Sequence, residues 1–170
     1  LLKVEAMERE LASTSDAAYN AFMASSDLGI VILFMLSSFK CHSLEQLASE
    51  MARSIATFGV KAVVGVRMGT SMHYVASTGA DIALQSVLDA NKGRGALVEG
   101  NQLMLFDANC CVLVQEPPMQ DADRYDRLKD NLGTLLRGAA ARHESIEASL
   151  AVLRQQTQVE QLILRSHEVF

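Results

Sequence analysis

The chain has 170 residues, enough for one sizeable core but hardly for two independent ones. Hydrophobic residues make up 49% and charged residues 21%, a balance that excludes intrinsic disorder. The formal net charge is −5 with signs mixed along the chain, which excludes the clustered Lys and Arg that a nucleic-acid backbone demands.

At the start, Val4, Met7, Leu11, Thr14, Ala18 and Phe22 recur three and four residues apart. That spacing places them on one stripe of a helix running over at least residues 1–25. The helix continues to Ser38 or breaks at 13–16 or 25–27, where N-cap residues cluster. The longest apolar run, 28–36, is interrupted only by Gly29. A membrane span needs roughly 20 such residues, so the run reads as a buried helix segment. Its apolar residues cover most of a helix surface, which calls for the α/β core on one side and a second chain on the other. No basic segment precedes it, so it does not read as a signal peptide. The chain begins at Leu1, already inside the periodic pattern, as expected for a piece of a longer protein.

Ser43 with Gln46 three residues on forms a capping-box pattern, followed by an apolar face of Leu44, Leu47, Met51, Ile55 and Phe58. Gly59 supplies the stop. Residues 60–68, rich in Val, read as a strand; 69–71 make a turn, and 72–77 read as the returning strand. Residues 81–90 read as a short helix closed by Asn91-Lys92-Gly93. Residues 96–99 and 102–106 are strand-like around Gly100-Asn101, a hairpin-type turn. The run 110–115 is the most apolar strand, and Pro117-Pro118 ends the sheet because proline supplies no ladder donor. Asp121 or Asp123 caps a long last helix. Its stripe runs through Tyr125, Leu128, Leu132, Leu135 and Ala139 and resumes at Ile146, Leu150, Leu153 and Thr157.

The expected fold is therefore α+β: a five-stranded antiparallel sheet with helices, between long N- and C-terminal helices that form a dimeric helical bundle. Three parts follow: an N-terminal dimerisation and signalling helix over 1–39, an α/β core over 40–120 and a long helix over 121–170. The dimer seam is expected at Val4, Met7, Leu11 and Phe22 in the first arm and at Ile146, Leu150 and Leu153 in the second. A stutter in the last stripe, where Ala139, His143 and Ile146 follow in steps of four and three after a step of four, locally unwinds a coiled coil.

Candidate chemistry is sparse. Cys41, Cys110 and Cys111 form no CxxC and no ligand spacing with histidine, so they read as reduced thiols of a cytoplasmic protein, with no metal site. Cys110 and Cys111 are adjacent on a strand and point to opposite faces. His143-Glu144 lacks the Arg-Thr-Pro that follows the phospho-accepting histidine of histidine kinases, and reads as a surface or seam histidine. His73 and Tyr74 lie on the second strand, and Tyr74 or Arg67 with Glu99 is the group best suited to line a pocket. Gly93-Arg94-Gly95 follows a helix and precedes a strand, the reverse of a dinucleotide-binding loop. A nucleophile elbow is absent.

The element order resembles the GAF-like sensory domains of bacterial signalling proteins, in particular those that follow a phosphoreceiver domain in response regulators. The likeness is carried by 25–39, by the helix 44–58 with the strand 61–68, and by 97–118 leading into Asp121-Ala122-Asp123-Arg124. It implies a dimeric, cytoplasmic input or relay module, with a receiver domain upstream in the same chain. It transfers no ligand residue, since no chromophore-attachment or cyclic-nucleotide motif maps here, and it implies no cofactor, membrane or nucleic acid. The expected function is a non-catalytic signal-sensing or relay and dimerisation module, not an enzyme. The alternatives are a thiol-dependent enzyme or redox sensor at Cys110 or Cys111, and a plain oligomerisation scaffold.

Overall fold

The structure, a computed structural model, describes residues 2–169. Ten elements follow one another: α1 (Leu2–Ser38), α2 (Leu44–Ala56), β1 (Lys61–Met68), β2 (Ser71–Ala76), a 3-10 turn (Ile82–Leu84) leading into α3 (Gln85–Ala90), β3 (Leu97–Glu99), β4 (Gln102–Asp107), β5 (Cys110–Gln115) and α4 (Ala122–Val169). The fold is α+β, with one antiparallel sheet of five strands in the order β2-β1-β5-β4-β3.

Neither Ser-rich cluster breaks α1. It runs unbroken because both clusters lie on a helix that is otherwise rich in Ala, Leu, Met and Glu, and tertiary packing holds its second half. In α2 the capping box forms with one shift. Ser43 Oγ accepts from Gln46 N at 3.2 Å, while Gln46 Oε1 accepts from His42 N at 2.8 Å, one residue ahead of the cap. After α2, Gly59 with φ 79° turns the chain into β1. The turn between β4 and β5 places Ala108 at φ 44°. Asp121 caps α4, its Oδ1 accepting from Arg124 N at 3.2 Å.

The sheet is buried on both faces in its centre, which explains the run of valines in β1. On one face, Ala62, Val64, Val66, Leu103, Cys110, Val112 and Val114 meet α2 and the first half of α4. On the other, Val63, Met104, Cys111 and Leu113 lie under Leu88 of α3. The adjacent cysteines thus do point to opposite faces. The first cluster is much the larger, because three helices cover that side and a single short one covers the other.

Helices α1 and α4 lie side by side and run in the same direction. Arg127 Nε meets Asp27 Oδ2 at 3.4 Å, Met35 packs against Gly138, and Arg142 Nε donates to Ser38 O at 2.9 Å. Both residue numbers increase together along this ladder, so the helices are parallel. Each then overshoots the core at its own end. Residues 2–19 are exposed at every position, about 27 Å of helix at 1.5 Å per residue. Residues 151–169 are likewise exposed and project about 28 Å from the opposite end.

Helix α1 is long and apolar enough to cross a membrane by length and composition, which the run 28–36 alone is not. Its burial is one-sided. Val31, Phe34 and Ser38 are buried against the core, whereas Leu28, Ile32, Leu33 and Leu36 are exposed. The expected burial nearly all round is therefore present on the inner side of the helix, and the outer side is open to solvent.

Candidate functional site

The joint between α1 and α4 holds the densest set of polar links between distant parts of the chain. The C-terminal turn of α1 carries no basic residue of its own, so its last carbonyls lack a local cation. Arg142 of α4 supplies it. Its Nε donates to Ser38 O at 2.9 Å and its Nη2 to Cys41 O at 2.7 Å, with Phe39 O at 3.5 Å. One guanidinium thus caps α1 and fixes the loop into α2. Gly138, four residues earlier, lets α1 approach: a Cβ there would collide with the Met35 thioether. At the other end of the joint, the side chains of Asp27 and Arg127 are each less than one-fifth exposed, so their pairing is only partly screened. Beside this pair, a cavity of about 340 Å³ opens between Tyr19, Met23, Phe58, Arg124 and Leu128.

His143 is fully buried, with its Nε2 2.7 Å from Arg67 O. A carbonyl only accepts, so Nε2 carries the proton and Nδ1 stays without a partner. The imidazole therefore ties α4 to the end of β1. The expectation of a surface or seam histidine is corrected: the stripe of α4 through Leu132, Leu135, Ala139 and His143 faces the chain's own core. The α4 stutter lies in that intrachain packing too, not on an open face.

The seam residues expected from the sequence divide into two groups. Val4, Met7, Leu11 and Phe22 are exposed, at 58%, 63%, 69% and 70%. Leu153 is exposed as well. Ile146 is buried in the core, and Leu150 packs against its margin. The first half of the α4 stripe is therefore taken up within the chain, and only from Leu153 onward is the same face open.

The far face of the sheet does not assemble the expected pocket group. Tyr74 Oη donates to Asp89, and burial with this hydrogen bond raises the phenol pKa while lowering that of Asp89. Arg67 donates to Asn109 Oδ1 at 3.1 Å and borders a cavity of about 70 Å³ with Lys92 and Cys111. Glu99 lies elsewhere, with Gln102 and Glu116. The strand order separates them, since β2 and β3 are opposite edges of the sheet. The adjacency of Tyr74 to α3 depends on how α3 folds back, which no local pattern announces.

Cys110 and Cys111 are each 2% exposed, and burial pushes both thiols up to about 12. Cys41 is buried too, and its pKa is raised first by burial. At neutral pH none of the three offers an exposed thiolate. Among the described residues, no group of three or more His, Cys, Asp or Glu comes together as metal ligands.

The chain matches no protein-family model and no curated protein. The α1–α4 joint is thus the candidate site on its own geometry. Arg142, its central residue, gave no signal in the sequence, because its three carbonyl partners lie more than 100 residues away.

Proposed function

We propose that this chain is a non-catalytic relay and dimerisation module of a bacterial two-component signalling protein, GAF-like in its core and cytoplasmic. In that reading a receiver domain lies upstream in the same chain, and the long helices form a dimeric bundle. The observation that carries it is the parallel α1–α4 ladder, with one helix entering at one end of the core and the other leaving at the opposite end. A helix pair joined along its middle and free at both ends transmits a displacement of one arm to the other, because packed helices shift as rigid bodies between discrete arrangements.

On the far face of the sheet, relay is favoured over small-molecule sensing. The far face of the sheet, where a ligand enclosed by α3 would sit, is filled by Leu88, Met104 and Leu113. The cavity bordering Cys111 there, of about 70 Å³, has room for a few waters. The thiol-enzyme alternative finds no accessible thiolate. The scaffold alternative differs from a relay in one measurable respect, the coupling between the arms.

Sedimentation equilibrium on Leu11→Ala, Leu153→Ala and the double variant measures that coupling. Substitutions so far apart are additive within about 0.5 kcal/mol unless a shared element links them. A relay gives a dimer dissociation constant for the double variant that departs from additivity by more than this. Strict additivity identifies a scaffold, and a monomer at high micromolar concentration rejects the dimeric reading altogether.

A further inference from the structure

The outer face of α1 is mainly apolar, with Thr14, Ser25 and Gly29 as its small or polar members. Val4, Met7, Leu11 and Phe22 lead through Ile32 to Leu36, and all six are more than half exposed. At 100° per residue this stripe lies nearly opposite the inner face formed by Asp27, Val31, Phe34 and Ser38. The chain's own core therefore never reaches it. The stripe crosses from the free arm to the core-bound half without leaving its side of the helix. Two steps of four, Thr14 to Ala18 to Phe22, adjust its phase just before α1 meets α4.

We propose that this outer stripe is the seam for a second copy of the chain, paired parallel and in register about a two-fold axis along α1. This rests on the dimeric reading above and specifies its interface and polarity. Three observations select the occupant. With Val4 and Met7 as successive seam positions, Lys3 and Glu8 flank the seam on opposite sides five residues apart. Parallel, in-register pairing sets Lys3 against the partner's Glu8, and by symmetry does so twice. Antiparallel pairing instead sets Lys3 at the far end of the partner's helix, away from that carboxylate.

The second observation is size. From Val4 to Leu36 the stripe is about 48 Å long, and at about 10 Å width two copies enclose on the order of 1,000 Å², the threshold for a specific interface and the size of a weak, exchangeable one. The third is the polar joint on the inner side. Asp27 is paired with Arg127, and Ser38 is held by Arg142, so the stretch most apolar in sequence keeps α4 along its inner side. A lipid environment on that side would strand these groups without water. A protein partner on the outer side leaves them in place.

Cysteine crosslinking of the full chain tests the seam, since the three native thiols are buried. Under mild oxidation, Leu11→Cys is expected to give a covalent dimer on a non-reducing gel, because parallel in-register pairing brings equivalent seam positions within disulfide reach. Arg9→Cys, on the opposite side of the helix, is expected to stay monomeric. Lys3→Glu is expected to weaken the dimer about fivefold, and adding Glu8→Lys to restore it. A dimer by sedimentation in which Leu11→Cys fails to crosslink overturns the seam and leaves the dimeric module standing. A monomer overturns both. A monomer that floats with phosphatidylcholine–phosphatidylglycerol vesicles overturns the seam and assigns the stripe to lipid.

Discussion

Arg142 shows how one side chain joins two helices whose sequences are far apart. It fills the place a C-terminal glycine or lysine takes in a self-contained helix, and it approaches from the neighbouring helix. Hydrogen bonds to a charged donor are each worth about 1.5–3 kcal/mol, and removing the donor strands partly buried carbonyls. Arg142→Ala is expected to lower unfolding stability by about 2–3 kcal/mol in urea denaturation. Arg142→Lys is expected to recover part of that loss, since an ammonium keeps the charge at the helix end but not the planar fork that reaches Ser38 and Cys41 together. An alanine variant as stable as the parent would remove Arg142 from the joint. Gly138 belongs to the same arrangement. A glycine inside a helix costs about 1 kcal/mol relative to alanine, and here it makes space for Met35 to lie against α4.

At the scale of elements, the two long helices are each divided in function. Helix α4 uses one stripe throughout. From Leu128 to Ile146 that stripe is core, and from Leu153 the same face has nothing beneath it. Helix α1 does the reverse, presenting its stripe outward and a mixed polar and apolar face inward. The shorter α2 is self-sufficient, with its cap, its reciprocal glutamine and a fully apolar inner face of Leu47, Met51 and Ile55. Ser43→Ala removes an acceptor that Gln46 N uses. It is expected to cost about 1 kcal/mol and to lower the melting temperature by about 2–4 °C in a chain of this size. Calorimetry showing no shift would mean that solvent satisfies this amide equally well.

For the whole molecule, the buried thiols predict how stability varies with pH. Cys110 and Cys111 titrate near 12 in the folded chain, above their ordinary 9.0, and Tyr74 is shifted in the same direction. Between those values the unfolded chain has released protons that the folded chain retains. Stability is therefore full below about pH 9 and falls as pH rises toward 12, with each thiol contributing up to about 1.4 kcal/mol per pH unit. Urea midpoints are expected to be level from pH 7 to 8.5 and to decline steadily above 9. Replacing both cysteines with alanine is expected to flatten that decline, at the expense of small cavities. An unchanged alkaline slope in the double variant would place its origin in Tyr74 or elsewhere.

The sequence by itself determined the elements and their order. Val-rich β1, the turn dipeptides, the Ser43–Gln46 box and the Pro117-Pro118 stop are local signals. Each depends on residues within a few positions of one another, so each is readable without the fold. The opposite orientation of Cys110 and Cys111 followed from strand geometry alone. Periodicity also showed that both long helices carry an apolar stripe, but not what each stripe meets. Only the tertiary structure decided that Ile146 faces inward while Leu11 faces outward, since both sit in the same kind of repeat. It alone separated Glu99 from Tyr74, through a strand order that places their hairpins at opposite edges of the sheet. It alone made Arg142 the cap of α1. The physical reason is common to all three: a hydrophobic period fixes which side of an element is buried, while the partner is chosen by contacts between residues tens to a hundred positions apart, where local spacing carries no information.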